Sequence, residues 1–181
     1  MPDLVAWTRT RIMQWRIALL WLLVLVAAIA AGTSGSRAWT LLIAAALIVQ
    51  FRLWDDLEDL PHDRVHAAQR VLVRCTRLGA FRLAFASSVA LVAAAFALLQ
   101  GWERALAYML LLAAMAAIYR TMDGNGPRRA LRAQLVLLKY TAFVLLLAHD
   151  PATPRALAAA LALYAVLAVH EWHDQRCVPP P

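Results

Sequence analysis

Residues 38–54 read AWTLLIAAALIVQFRLW, and residues 55–63 continue as DDLEDLPHD. An apolar run with a single charge, Arg52, thus ends abruptly on five carboxylates, Asp55, Asp56, Glu58, Asp59 and Asp63. Ala and Leu dominate the run, both are strong helix formers, and no apolar/polar alternation appears, so a helix is expected rather than a strand of a transmembrane barrel. Runs of the same kind occupy Ile17 to Gly32, Ala80 to Gln100, Ala105 to Tyr119, Ala133 to Ala148 and Ala156 to Val169. Several fall short of the roughly 20 residues that cross a bilayer core. Trp7, Trp15, Trp39, Trp102 and Trp172 lie at the flanks, where aromatic side chains extend a span into the headgroup region.

Composition agrees with this reading. Of 181 residues, 63% are hydrophobic and only 16% charged, with a mean hydropathy of +0.63, whereas soluble domains carry about 25% charged residues. Lipid must act as solvent for much of the surface, and an integral membrane protein is expected rather than a water-soluble domain. The expected fold is all-α, a polytopic transmembrane helical bundle of about six spans, forming one membrane domain over residues 1–181. The first run follows three arginines and precedes no convincing small-residue cleavage site, so it is expected to be a retained span and not a signal peptide.

The net charge is +7, and Lys139 is the sole lysine. Arg9, Arg11, Arg16, Arg52, Arg64, Arg70, Arg74, Arg77, Arg82, Arg120, Arg128, Arg129, Arg132 and Arg176 fall on one side of the alternating topology, against Arg37, Arg104 and Arg155 on the other. Short loops rich in Lys and Arg stay in the cytoplasm, so both termini and both acidic segments are expected there, in a membrane of the bacterial inner type. Topology and attraction to anionic lipid account for the basic balance; no nucleic-acid motif is present. Cys75 and Cys177 lack CxxC spacing and are expected as free reduced thiols.

Five carboxylates packed together at a membrane boundary repel one another and resist desolvation unless cations offset them, which marks residues 55–70 as the first functional candidate. Asp56, Asp59 and Asp63 stand at i, i+3 and i+7, one helical stripe that Arg52, His66 and Arg70 continue. Such a stripe suits Mg²⁺, which takes oxygen ligands and bridges one or two carboxylates to substrate phosphates, while arginines grip the remaining phosphate oxygens. Pro61 lacks an amide proton, so Asp63 is expected beyond a bend. The plain alternative is a solvated charged loop. A second candidate, residues 170–176, carries His170, Glu171, His173 and Asp174 after the sixth run, with Tyr164 one turn or more upstream. Glu171 and Asp174 are i, i+3 neighbours and share a face, as a second Mg²⁺ site requires; a polar helix cap and a zinc site are the other readings. Lys139 lies about 10 Å inside the fifth run by helix rise, where an ammonium faces a cavity or a carboxylate, or else snorkels to the interface.

This arrangement resembles the UbiA superfamily of intramembrane prenyltransferases. Members carry Asn-Asp-x-x-Asp-x-x-x-Asp after the second helix; here Asp55 stands in the Asn place, followed by Asp56, Asp59, Asp63 and then Arg64. Their second acidic motif follows the sixth helix, where this chain offers Glu171 and Asp174 at shortened spacing. The resemblance implies transfer of an isoprenyl group from its diphosphate to a lipophilic or aromatic acceptor. Asp56, Asp59 and Asp63 would hold one Mg²⁺ and Glu171 and Asp174 a second, with Arg52, Arg64, Arg70, Lys139 and Tyr119 around the substrate. Arg120, Arg128 and Arg129 resemble, loosely, a basic group of the family. The family fold has nine helices, of which the resemblance spans six, so a homodimer, a partner subunit or a reduced cavity is implied.

Three other readings compete. DDxxD at residues 55–59 also marks soluble isoprenyl diphosphate synthases, against which the lipid-facing composition argues. CDP-alcohol phosphotransferases open their motif with Asp-Gly-x-x-Ala-Arg, which Asp123-Gly124-Asn125-Gly126-Pro127-Arg128 does not match. A noncatalytic relative, or a cation-binding transporter or scaffold, would also use carboxylates and one lysine; ion pathways need charge near the midplane, whereas here most charges gather at the rim. Ser87, Ser88, Gln50 and Gln134 are candidate cavity-lining polar groups.

Overall fold

The structure, a computed structural model, describes residues 2–33, 35–75, 77–121 and 127–177, with side chains for 3–33, 35–75, 77–121 and 131–173. Every long element is helical. Six long helices follow the six apolar runs: α2 (Trp15–Ala31), α3 (Arg37–Glu58), α6 (Leu78–Leu99), α7 (Trp102–Thr121), α8 (Pro127–Leu147) and α9 (Pro154–Cys177). Three short ones accompany them, α1 (Pro2–Trp7), α4 (Leu60–His66) and α5 (Val71–Arg74). Two boundaries differ from the hydropathy reading. Asp55, Asp56 and Glu58 complete the last turn of α3 and are not loop residues, and α9 carries its helix through the second acidic stretch. Hydropathy marks where lipid ends; backbone hydrogen bonding carries a helix further, into water.

The six long helices close a ring in which neighbours are α2–α3, α3–α6, α6–α7, α7–α8, α8–α9 and α9–α2, with α8 also reaching across to α2 and α3. Alanines 28, 44, 156 and 160, nearly without exposed surface, let the helix backbones approach. Phe51, Phe96, Tyr108, Met115, Phe143 and Leu147 fill the centre. The outer surface is the inverse of a soluble one: Leu98 is 83% exposed and Leu42, Leu83, Leu91 and Leu161 are all largely exposed. Among the described residues, four helices are long and apolar enough to cross a membrane: α3, α6, α7 and residues Pro154–His173 of α9. Asp3–Ile12 and Trp15–Ala31, bent by 67° to one another, add a fifth if the pair is one span.

Helix ends at the tip opposite the acidic segments are closed by named groups. The Ser36 hydroxyl caps α3 by accepting from Trp39 N at 3.2 Å. Gly32 takes a positive φ of 85° after α2, a conformation in which a Cβ would be strained. Arg104 donates to the carbonyls of Leu145, Ala148 and His149 at 2.8–2.9 Å, and Arg155 donates to that of Ala30. These two arginines, on the side where few were expected, therefore satisfy the orphan carbonyls of α8 and α2.

Candidate functional site

The site is built on the last turn of α3. Arg52, Asp55 and Asp59 are spaced i, i+3 and i+7 and face the bundle, while Asp56, one residue round, faces the N-terminal segment. The α-helical hydrogen bonds continue through the junction, Asp59 N to Asp55 O and Asp63 N to Asp59 O, both 2.9 Å. Pro61 sits in the first turn of α4, where its missing N–H costs nothing.

On the bundle side, Asp55 accepts from the Lys139 ammonium of α8 and from the Tyr119 hydroxyl of α7. Lys139 is 1% exposed, with its nitrogen 5.2 Å from the Tyr140 ring centre. It meets a carboxylate and does not snorkel. Asp59 is half exposed and lies 3.6 Å from the Arg132 guanidinium, which also covers the Tyr119 ring at 5.4 Å. Partial burial and the neighbouring Asp55 push the Asp59 carboxyl above the ordinary carboxylate range, against the pull of Arg132. Arg52, Asp55, Asp59, Tyr119, Arg132 and Glu171 surround one cavity of about 290 Å³. The buried Nε of Arg52 has no hydrogen-bond partner, an unmet donor at that wall.

On the other side, Asp56 is 4% exposed and fully engaged. It accepts from Trp7 Nε1 and Arg11 Nε, both at 2.9 Å, from a second Arg11 nitrogen, and lies 3.3 Å from Arg52. Asp63, equally buried, pairs with Arg70. Trp7, Arg11, Asp56, Asp63 and Arg70 line a separate chamber of about 210 Å³.

The stripe expected from spacing is thus divided. Asp59 shares the front cavity with Arg52, Asp55, Tyr119, Arg132 and Glu171, whereas Asp56, Asp63 and Arg70 lie together behind it. Arg64 is exposed on α4 and lines neither space. The side chains of Asp174, Arg128 and Arg129 lie outside the described ones. Gln50 exchanges hydrogen bonds with Tyr108 inside the core. Sequence spacing did not single out Asp55, Arg132, Trp7 or Arg11 as partners. For Asp55 a signal existed: a lone lysine inside a span demands a countercharge.

Among the described residues, no group of three His, Cys, Asp or Glu side chains is placed to hold a metal ion. Asp56 and Asp63 have their oxygens on arginines, so the described residues present no all-protein cage. Mg²⁺ that arrives with a diphosphate asks less, one or two carboxylates with water and phosphate oxygens completing its shell. Asp59 and Glu171, on the cavity wall, are of that kind. Compared with family models, curated proteins and solved structures, the chain matches none.

Proposed function

We propose that this chain is an intramembrane prenyltransferase of the UbiA type, moving an isoprenyl group from its diphosphate to a lipophilic or aromatic acceptor. One observation carries the reading: side chains from four distant stretches, the end of α3, Tyr119, the pair Arg132 and Lys139, and Glu171, converge at one end of the bundle. Their charge is close to balanced, with Asp55, Asp59 and Glu171 against Arg52, Arg132 and Lys139. A bare diphosphate would upset that balance, whereas a diphosphate carrying Mg²⁺ is near neutral and would not. Mg²⁺ supplies charge neutralisation of the leaving diphosphate. Asp59 and Glu171 are the side chains proposed to meet the ion, with Asp174 as a further ligand.

The chain's own residues do the rest. The Arg52 and Arg132 guanidinium groups would donate to phosphate oxygens, holding the head group at the cytoplasmic rim while the isoprenoid lies among apolar helices. Asp55 holds both Lys139 and Tyr119, so the innermost wall is a fixed, neutral ion pair. As the carbon–oxygen bond to diphosphate breaks, the bond electrons leave with diphosphate; the allylic carbon bonds to the acceptor, whose displaced C–H or O–H proton passes to the released diphosphate or to water. In this account α2 and α8 also span, giving six spans, with both termini and the acidic segments cytoplasmic and a second copy or partner subunit completing the cavity wall.

The test is product formation. Purified protein in lipid nanodiscs with labelled geranylgeranyl diphosphate, Mg²⁺ and a panel of aromatic and lipid acceptors should yield a labelled prenylated product, lost in Asp59→Ala and Glu171→Gln. Neither product nor diphosphate release at any chain length would count against it. The buried Lys139–Asp55 pair favours one alternative, a cation-binding transporter or noncatalytic scaffold, because intramembrane ion pairs also mark ion pathways.

A further inference from the structure

The chamber behind the acidic stripe is roofed by α1 and by the turn that follows it, a π-helical stretch at Thr8–Ile12. This strap is short, joins α2 through a sharp bend, and exposes Val5, Met13 and Trp15 on its outer side. It is fastened at three points. Trp7 and Arg11 hold Asp56. The Trp7 ring is buried among Leu53, Leu60, Leu72 and Phe81, meeting Phe81 edge-on at 6.4 Å. The Cys75 thiol of the α5 end donates to Asp3 at 3.3 Å.

Of these, the first is the decisive one. A buried carboxylate that loses its cation is left with a severe desolvation cost, so strap and Asp56 hold each other. The guanidinium supplies two donors in a rigid fork and the indole a third, which together fill the acceptor directions facing the strap. Arg52 alone, on the same helix, approaches Asp56 from below. Asp56 and Asp63 are two of the three carboxylates that the sequence marks for cation or diphosphate work; both are buried and line this chamber, Asp56 held by the strap and Asp63 by Arg70.

We infer that the N-terminal strap is a latch over the acidic segment: Arg11 takes the cation position at Asp56, so that the docked strap withholds Asp56 from any outside ligand until it is released. The inference rests on the acidic segment being the working site and not on which reaction runs there. It assigns Trp7 and Arg11 a positioning role and makes opening of the strap a step distinct from events in the main cavity.

Cys75 lies under the strap and reports on it. In a Cys177→Ser background, labelling of Cys75 by a charged maleimide measures strap opening without turnover. Arg11→Ala should accelerate labelling by about tenfold or more, the population change expected on losing charge-assisted hydrogen bonds. Asp56→Asn should do the same, and the double variant should add nothing further. Arg9→Ala, an exposed arginine on the same turn, should leave the rate unchanged. Arg11→Lys, which keeps charge but loses the fork, and Trp7→Phe, which keeps the packing on Phe81 but loses the indole N–H, should fall between. Equal labelling of Arg11→Ala and the parent, or acceleration only at temperatures where the bundle itself unfolds, overturns the latch. If Arg11→Ala does not fold, the two milder variants decide, and no rise in either overturns it.

Discussion

Lys139 has to be neutralised where it stands, since an ammonium at 1% exposure cannot reach water, and Asp55 is the group that does so. Removing the ammonium strands the carboxylate; the pair breaks at a cost of about 3 kcal/mol. Lys139→Met should therefore lower the unfolding free energy in detergent by that order, and Lys139→Met combined with Asp55→Asn should recover most of it. Additive losses in the double variant would mean the two do not interact. Tyr119→Phe removes one hydrogen bond to the same carboxylate, for an expected loss of about 2 kcal/mol. The resemblance to UbiA enzymes puts Asn at the Asp55 place. Aspartate there is explained by Lys139, a relation across 84 positions that no local spacing could display.

At the scale of elements, the end of α3 shows what a sequence stripe does and does not say. Residues three apart on a helix differ by about 60° in direction, so Asp59 is offset from Asp56 while Asp63, seven on, returns close to it. The i, i+3, i+7 spacing was legible, but which edge of the stripe met which neighbour was not. That depended on two elements far away in the chain, the strap behind and α8 in front. The strap itself was invisible to hydropathy because α1 and its turn are neither long nor apolar enough to stand out, though Trp7 was readable as a boundary aromatic. Element boundaries were legible where lipid sets them and illegible where capping does. Arg104 illustrates the second case: it satisfies three carbonyls at the end of α8. Arg104→Ala should destabilise the protein by about 1–2 kcal/mol and raise amide exchange in the last turn of α8 and the turn after it, with the α2 end undisturbed. Uniform exchange changes would contradict capping as its role.

For the whole molecule, the outward-facing leucines and the inward-facing alanines make lipid the natural solvent of the ring. The proposed orientation, with the arginine-rich side cytoplasmic, is testable. In a chain with both native cysteines replaced by serine, Arg74→Cys should be modified by an impermeant maleimide only from the cytoplasmic side and Ala152→Cys only from the opposite side. Both modified from one side would exclude the six-span topology. The two acidic segments, separated by more than a hundred residues, meet because α3 and α9 end at the same tip, with α8 between them supplying the basic groups. That convergence is the basis for reading a diphosphate site, and its most direct test is ligand stabilisation. Detergent-purified protein is melted with geranylgeranyl diphosphate, with and without Mg²⁺, beside Asp59→Ala. Binding to the native state raises the melting temperature; the account predicts a rise that requires Mg²⁺ and disappears in Asp59→Ala. No rise at any chain length, or a rise indifferent to both Mg²⁺ and Asp59, would contradict it.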